Sequence, residues 1–311
     1  MNRFIRHLDE WAFGPTTATA LAVFRILFGT IAFLSLLVLG LEWTTWYGPY
    51  GLAPGFSVAR WAGGAPRFSL LFGSESISLI WGVWALTTLA ALATAVGLGT
   101  RVATVLLAMG LVTLHHRNPF ILHSGDTLMR VGAIWLVFAP CGRTLSLDQR
   151  IRQYLGRPAL SPWISVWPQR VLELQLALVY LTTVYLKLQG FTWRDGTATW
   201  YAAQLPEFNR FPAPGFIDLP PFTQIFTYGT LLVEVALGTV ALAKWGRRWS
   251  IIGGLMLHAV IEYRFNIPFF AATITSFYVL YYSGPEWEAR LAQWGRKRTV
   301  TPGPGMEGTT P

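Results

Sequence analysis

A lysine, a histidine and several carboxylates interrupt stretches that are otherwise hydrocarbon. Lys187 closes one apolar run, His258 and Glu262 stand four residues apart in another, and Arg25, Arg130, Glu173 and Glu234 break into others. A charge inside a bilayer needs a partner, a water-filled cavity or a task. The His258 and Glu262 spacing places both on one helix face, as does that of Asp126 and Arg130, so each pair can neutralise itself and hold helices in register. For Asp126 with Arg130 that structural role is the preferred reading. Glu173, Tyr180 and Lys187 recur every seven residues along one stripe. Glu173 lies far from Lys187 on that stripe and is expected to pair with Arg170 or Arg25. Lys187 can snorkel to the headgroups, or it can sit in an apolar pocket as a neutral amine able to take a proton. Spacing alone leaves both open. Asn118, Pro119, Gly125 and Asp126 cluster with His115, His116 and His123. Adjacent histidines point apart on a helix and no Glu-x-x-His pattern accompanies them, so no metal is expected.

The elements that must position these residues are hydrophobic and long. The chain has 311 residues, 53% of them hydrophobic, 15% aromatic and 13% charged. A water-soluble domain of that composition would struggle to stay monomeric. Runs of roughly 20 apolar residues are needed to cross a bilayer core. Candidates are Ala18 to Leu41, Ile77 to Gly97, Val102 to Leu114, Leu128 to Ala139, Val171 to Leu188, Thr223 to Ala243, Ile251 to Ile261 and Phe269 to Tyr282. The third, fourth and seventh are short as written and are expected to extend through their polar ends. The expected fold is therefore an all-α polytopic membrane protein with about eight transmembrane helices. The first run starts late and is too long for a signal segment, so it is expected to stay as an anchor. Cys141 is the single cysteine, which leaves no intramolecular disulfide.

With both termini on one side, that side collects Arg3, Arg6, Arg101, Arg143, Arg150, Arg152, Lys244, Arg247, Arg248 and Arg290 among others, whereas the opposite side receives few cations. The positive-inside rule then gives an N-in, C-in protein of the cell membrane with both termini cytoplasmic. The net charge of +9 is read as this cytoplasmic excess and not as a nucleic-acid surface. Two long extracytoplasmic loops follow, Glu42 to Ser76 and Gln189 to Phe222, both dense in aromatics, Gly and Pro. They form either an aromatic belt at the headgroups or short segments that fold back to roof a cavity. Residues 1–17 are expected as an interfacial segment, with Phe4, Leu8 and Trp11 set against Arg3, Arg6 and Asp9. Residues 18–298 form the transmembrane domain, and 299–311 are expected to be a disordered tail.

Taken in order, several of these residues resemble a known family. They are Phe24-Arg25, Gly97-Leu98 with Arg101, Asn118 with Gly125-Asp126, Tyr180 through Lys187-Leu188 to Trp193, Glu234, His258 through Phe265-Asn266-Ile267, and Pro285-Glu286-Trp287. The chain resembles the transmembrane domain of vitamin K-dependent gamma-carboxylases, the HTTM family, nearly end to end. The resemblance implies Lys187 as the base that deprotonates a quinol, with His258 as a second catalytic group. It implies Asn118, Asp126 and Trp193 as cofactor-binding residues and reduced vitamin K or menaquinol as the cofactor. The implied substrate is a secreted peptide or protein, whose glutamate loses a gamma-proton and gains carbon dioxide. Pro119 departs from the family, where a histidine follows the asparagine. The alternatives are a non-catalytic HTTM protein assisting maturation or export of a secreted peptide, and a transporter, which the lack of an inverted repeat disfavours.

Overall fold

A computed structural model describes residues 3–64, 67–212 and 214–299, with the side chains of 295–299 excepted. The tail expected at 299–311 falls, from residue 300 on, outside the described residues. The chain is all-α apart from one short ribbon. Its helices are α1 (Arg3–Phe13), α2 (Thr19–Leu41), α3 (Trp43–Tyr47), α4 (Gly55–Trp61), α5 (Ile77–Val96), α6 (Thr100–Arg117), α7 (Ser124–Phe138) and α8 (Leu147–Tyr154). They continue as α9 (Trp167–Gln189), α10 (Phe191–Arg194), α11 (Ala198–Ala203), α12 (Pro220–Gly238), α13 (Lys244–Arg264), α14 (Phe270–Ser276) and α15 (Gly284–Thr299). Strands β1 (Pro15–Thr17) and β2 (Trp163–Ser165) pair antiparallel with Thr16 opposite Ile164. Neither strand was legible in the sequence, because a three-residue ribbon is a pairing between distant segments and carries no periodicity of its own.

Among the described residues four segments are long and apolar enough to cross a membrane: Thr19–Leu41, Ile77–Val96, Trp167–Gln189 and Pro220–Leu242. This is a helical membrane protein. The short apolar runs did extend through their polar ends, Val102 to Leu114 into α6, Leu128 to Ala139 into α7 and Ile251 to Ile261 into α13. Phe269 to Tyr282 divides into α14 and a 3-10 turn, Phe277–Tyr281. α1 turns Phe4, Ile5 and Leu8 outward, as an amphipathic helix at an interface requires.

Helices in lipid gain little from burying hydrocarbon, so close approach through small residues holds them together. At Gly29 of α2 an added Cβ would lie 2.6 Å from the amide nitrogen of Ala95 on α5. Phe24 and Phe28 of α2 close the centre against Phe277, with ring centroids 4.7 and 6.3 Å away. Arg25, wholly buried, fixes the same corner. Its guanidinium donates to the carbonyls of Thr94 (2.6 Å), Ala95 (2.9 Å), Cys141 (3.1 Å) and Leu145 (2.7 Å). Two of these belong to the last turn of α5, where carbonyls lack helical partners and the dipole favours a cation.

The ends are capped by carboxylates. Asp148 accepts from the amides of Gly99 and Thr100 and from the Thr100 hydroxyl at the start of α6. Glu286 accepts from the Ser283 amide and hydroxyl at the start of α15, and from both terminal nitrogens of Arg247. Partial burial pushes the Glu286 carboxyl up, but the Arg247 and Ser283 hydrogen bonds outweigh it and the net is a fall to about 2.

Two predictions follow from these caps and from Arg25. Arg25→Met strands the carbonyls of Ala95, Cys141 and Leu145 and should cost about 3 kcal/mol or more, read as a lowered unfolding midpoint in detergent. Because the Glu286 carboxyl is depressed in the fold, its contribution is present above the ordinary value of 4.5 and is lost as pH falls towards about 2. Glu286→Gln should therefore lower Tm at neutral pH and flatten its dependence on pH across that window. An acid profile identical to the parent's would contradict this assignment.

Candidate functional site

The far end of α9 turns one face, Tyr180, Thr183 and Lys187, towards α12 and α13. This is the stripe of residues spaced by three, four and seven. Lys187 Nζ forms an ion pair with Glu234 of α12, with side chains 23% and 9% exposed. The Thr183 hydroxyl donates to the Tyr180 carbonyl at 2.9 Å and lies 3.5 Å from the second Glu234 oxygen. The Trp193 ring, from α10, covers the ammonium with its centroid 4.9 Å from Nζ, a cation–π contact strengthened by exclusion of water. Lys187 therefore does not stand as a lone amine; a carboxylate from another helix holds it. Glu234 lies fourteen residues into α12, so the pair sits about 21 Å along that helix from its start. The intervening length is flanked by α10 and α11. Thr199 bonds to Thr227 at 2.9 Å, and the Tyr228 hydroxyl donates to the Arg194 carbonyl.

About two turns deeper, some 10 Å along α9, the Tyr180 hydroxyl lies 2.9 Å from His258 Nε2 and 2.6 Å from the Tyr278 hydroxyl. Gly254, one turn before His258, lets this happen, since an added Cβ would lie 2.6 Å from that Tyr278 oxygen. His258 is 3% exposed, and its Nδ1 has no partner among the described residues. A neutral imidazole donates from one nitrogen and accepts at the other. Whichever tautomer is present, Nδ1 keeps an unused bonding capacity in an apolar wall formed partly by Phe270, 5.6 Å away between ring centroids.

The remaining sequence candidates lie elsewhere. Asn118 is fully buried, donates to the Trp46 carbonyl at 2.8 Å and accepts from Phe120 N at 3.1 Å, and so turns the chain after α6. Asp126 accepts from His123 N at 2.9 Å as half of a capping box at the start of α7. Its expected ion pair with Arg130 is not made, because the helix N-terminus offers a nearer donor. The His258 and Glu262 pair is not made either: His258 turns inward to Tyr180, while the exposed carboxylate of Glu262 meets Arg210 from the loop. Glu173 pairs with Arg170 at 2.6 Å, one of the two partners expected. Phe270 separates the His123 and Asp126 cap from His258. His115 and His116 end α6 and His123 caps α7, and among the described residues no group of three His, Cys, Asp or Glu could hold a metal ion. Tyr278 and the pairing role of Glu234 were missed from sequence. The available signal was that one intramembrane lysine requires one intramembrane carboxylate.

The sequence profile of the HTTM domain matches residues 13–287, most of the chain and all of the residues above. The chain belongs to the HTTM domain family. Over 116 residues it is 30% identical to the uncharacterized protein YitO of Bacillus subtilis (strain 168), a match covering 36% of this chain and 38% of that relative. The chain thus spans well under half the length of the curated relative it matches. No solved structure matches it.

In this HTTM domain the lysine and the carboxylate depend on each other. Glu234→Leu leaves a partly buried ammonium without its counter-charge and should cost about 2 kcal/mol. The double replacement Lys187→Met with Glu234→Leu should cost less than the sum of Lys187→Met and Glu234→Leu. Denaturant unfolding of the single and double variants in detergent measures the difference. A double variant as unstable as the sum of the singles would show that the two do not act as a pair.

Proposed function

We propose that this HTTM protein is a reduced-quinone-dependent carboxylase or oxygenase whose base is Lys187. It crosses the cell membrane about eight times, with both termini cytoplasmic and residues 18–298 as the membrane domain. The alternation of cationic loops supports the orientation. The observation that carries the enzymatic reading is the Lys187–Glu234 pair beside the Tyr180, His258 and Tyr278 cluster, within the bundle and under α10 and α11. The residues fit a quinol: an apolar aromatic wall, a buried ammonium–carboxylate pair and an imidazole nitrogen without a partner.

On this reading Lys187 would pass a proton to Glu234 and accept one from a quinol hydroxyl, with His258 Nδ1 available to the ring and Trp193 lying over Nζ. When bound, a hydroquinone supplies the reducing equivalents: hydroquinone, O2, CO2 and a C–H substrate leave as quinone epoxide, water and a new carboxylic acid. A secreted peptide reaching the site from the extracytoplasmic side is the substrate class.

A second reading is favoured by the same pair, since an ion pair already satisfied by Glu234 can serve only to lock α9 to α12. The protein is then a non-catalytic HTTM component that assists maturation or export of a secreted peptide. The test is protein purified in detergent, given reduced vitamin K or menaquinol, oxygen, labelled bicarbonate and a Glu-containing peptide. Label in the peptide together with quinone epoxide is expected, and Lys187→Ala should abolish both. Absence of both products across several quinones, with peptide capture unaffected by Lys187→Met, would favour the second reading.

A further inference from the structure

A second site lies nearer the start of α12. Gly196, before α11, and Trp200 of α11 face Pro220 and Gln224 of α12 and Asp218 of the 3-10 turn Gly215–Asp218, lining an open cleft of about 170 Å³. Its nearest α12 residue, Gln224, lies ten residues before Glu234, about 15 Å away along α12, so it is separate from the ion pair of Lys187. The volume is the share of about six water molecules, enough for one unbranched side chain and too little for a folded segment. Its chemistry is amphipathic. Trp200 is 38% exposed and its ring is steadied by Tyr201, with centroids 5.0 Å apart. Asp218 is 36% exposed and is ion-paired with Arg264 at 3.8 Å. At that distance Arg264 makes no hydrogen bond to it, so the carboxylate keeps its acceptor capacity.

We propose that this cleft binds the primary ammonium side chain of a peptide, its methylenes along Trp200 and Pro220 and its head at Asp218. A flat aromatic face beside a carboxylate attracts an organic cation by cation–π and charge-assisted hydrogen bonding together. A methylene stem gains from the apolar wall, as an anion or a compact inorganic cation does not. The proposal goes beyond the quinol reading and stands without it, because it assigns a docking position and no chemistry.

The experiment is equilibrium dialysis of radiolabelled N-acetyl-lysine methylamide against the full chain in phosphatidylcholine nanodiscs, without quinone. The expected result is saturable binding that weakens about tenfold or more in Asp218→Asn, the loss of one charge-assisted hydrogen bond. Trp200→Leu should weaken it too, each variant first showing the parent's melting temperature. The norleucine analogue, with the same stem and no charge, should not compete. Equal binding of the norleucine probe, or parent-like binding by both the Asp218→Asn and Trp200→Leu variants, would overturn the proposal. So would displacement of the lysine probe by phosphatidylethanolamine, which would assign the cleft to a lipid headgroup. Failure of the carboxylation assay with this binding intact would remove only the quinol reading.

Discussion

Arg25 shows the constraint under which the rest of this molecule is built. Its guanidinium is wholly buried, and no carboxylate lies within ion-pair distance among the described residues; it is satisfied by four carbonyls from α5 and from the segment after α7. Hydrocarbon supplies no water, so each polar group must find its complement in the protein. The carbonyls at the end of α5 need donors, the arginine needs acceptors, and meeting both fixes α2, α5 and the turn after α7 at one corner. The Phe24, Phe28 and Phe277 cluster packs beside that corner and inherits its geometry.

The same constraint explains the pairing of Lys187. An unpaired ammonium at its depth is costly, and Glu234 answers it from a helix whose own start lies well beyond the end of α9. The space left beside the first turns of α12 is taken by α10 and α11, tied there by Thr199 and Tyr228. A long loop thereby becomes part of the bundle's wall. Its further course at Asn209 and Arg210 is strapped to the end of α13 by the Asn209–Phe265 bridge and the Arg210–Glu262 pair. The ion pair is covered, and the access route to it is set by these short elements more than by the long helices.

Two polar centres thus lie along α9. One is charged and capped by Trp193; the other is a neutral hydrogen-bonded set of Tyr180, His258 and Tyr278 with one imidazole nitrogen unused. Both centres tie helices together, the first α9 to α12 and the second α9 to α13 and the turn at Tyr278. A proton-handling site uses both, because a phenol and an imidazole can pass or hold a proton where a backbone carbonyl cannot.

The long apolar runs determined by themselves that this is a helical membrane protein, because the bilayer admits only backbones that satisfy their own hydrogen bonds. Order and spacing of residues determined the family. Local partners were also legible: Glu173 with Arg170 lies within one helical turn, where sequence separation equals spatial separation. Only the tertiary structure decided the rest. Lys187 and Glu234 are forty-seven residues apart, and whether they meet depends on the rotation and depth of two helices, which no periodicity records. His258 and Glu262 had the spacing to pair and did not, because packing turned one inward to Tyr180 and left the other at the exposed end within reach of Arg210. Sequence sets which groups cannot be left alone in the membrane, and interhelical packing chooses their partners.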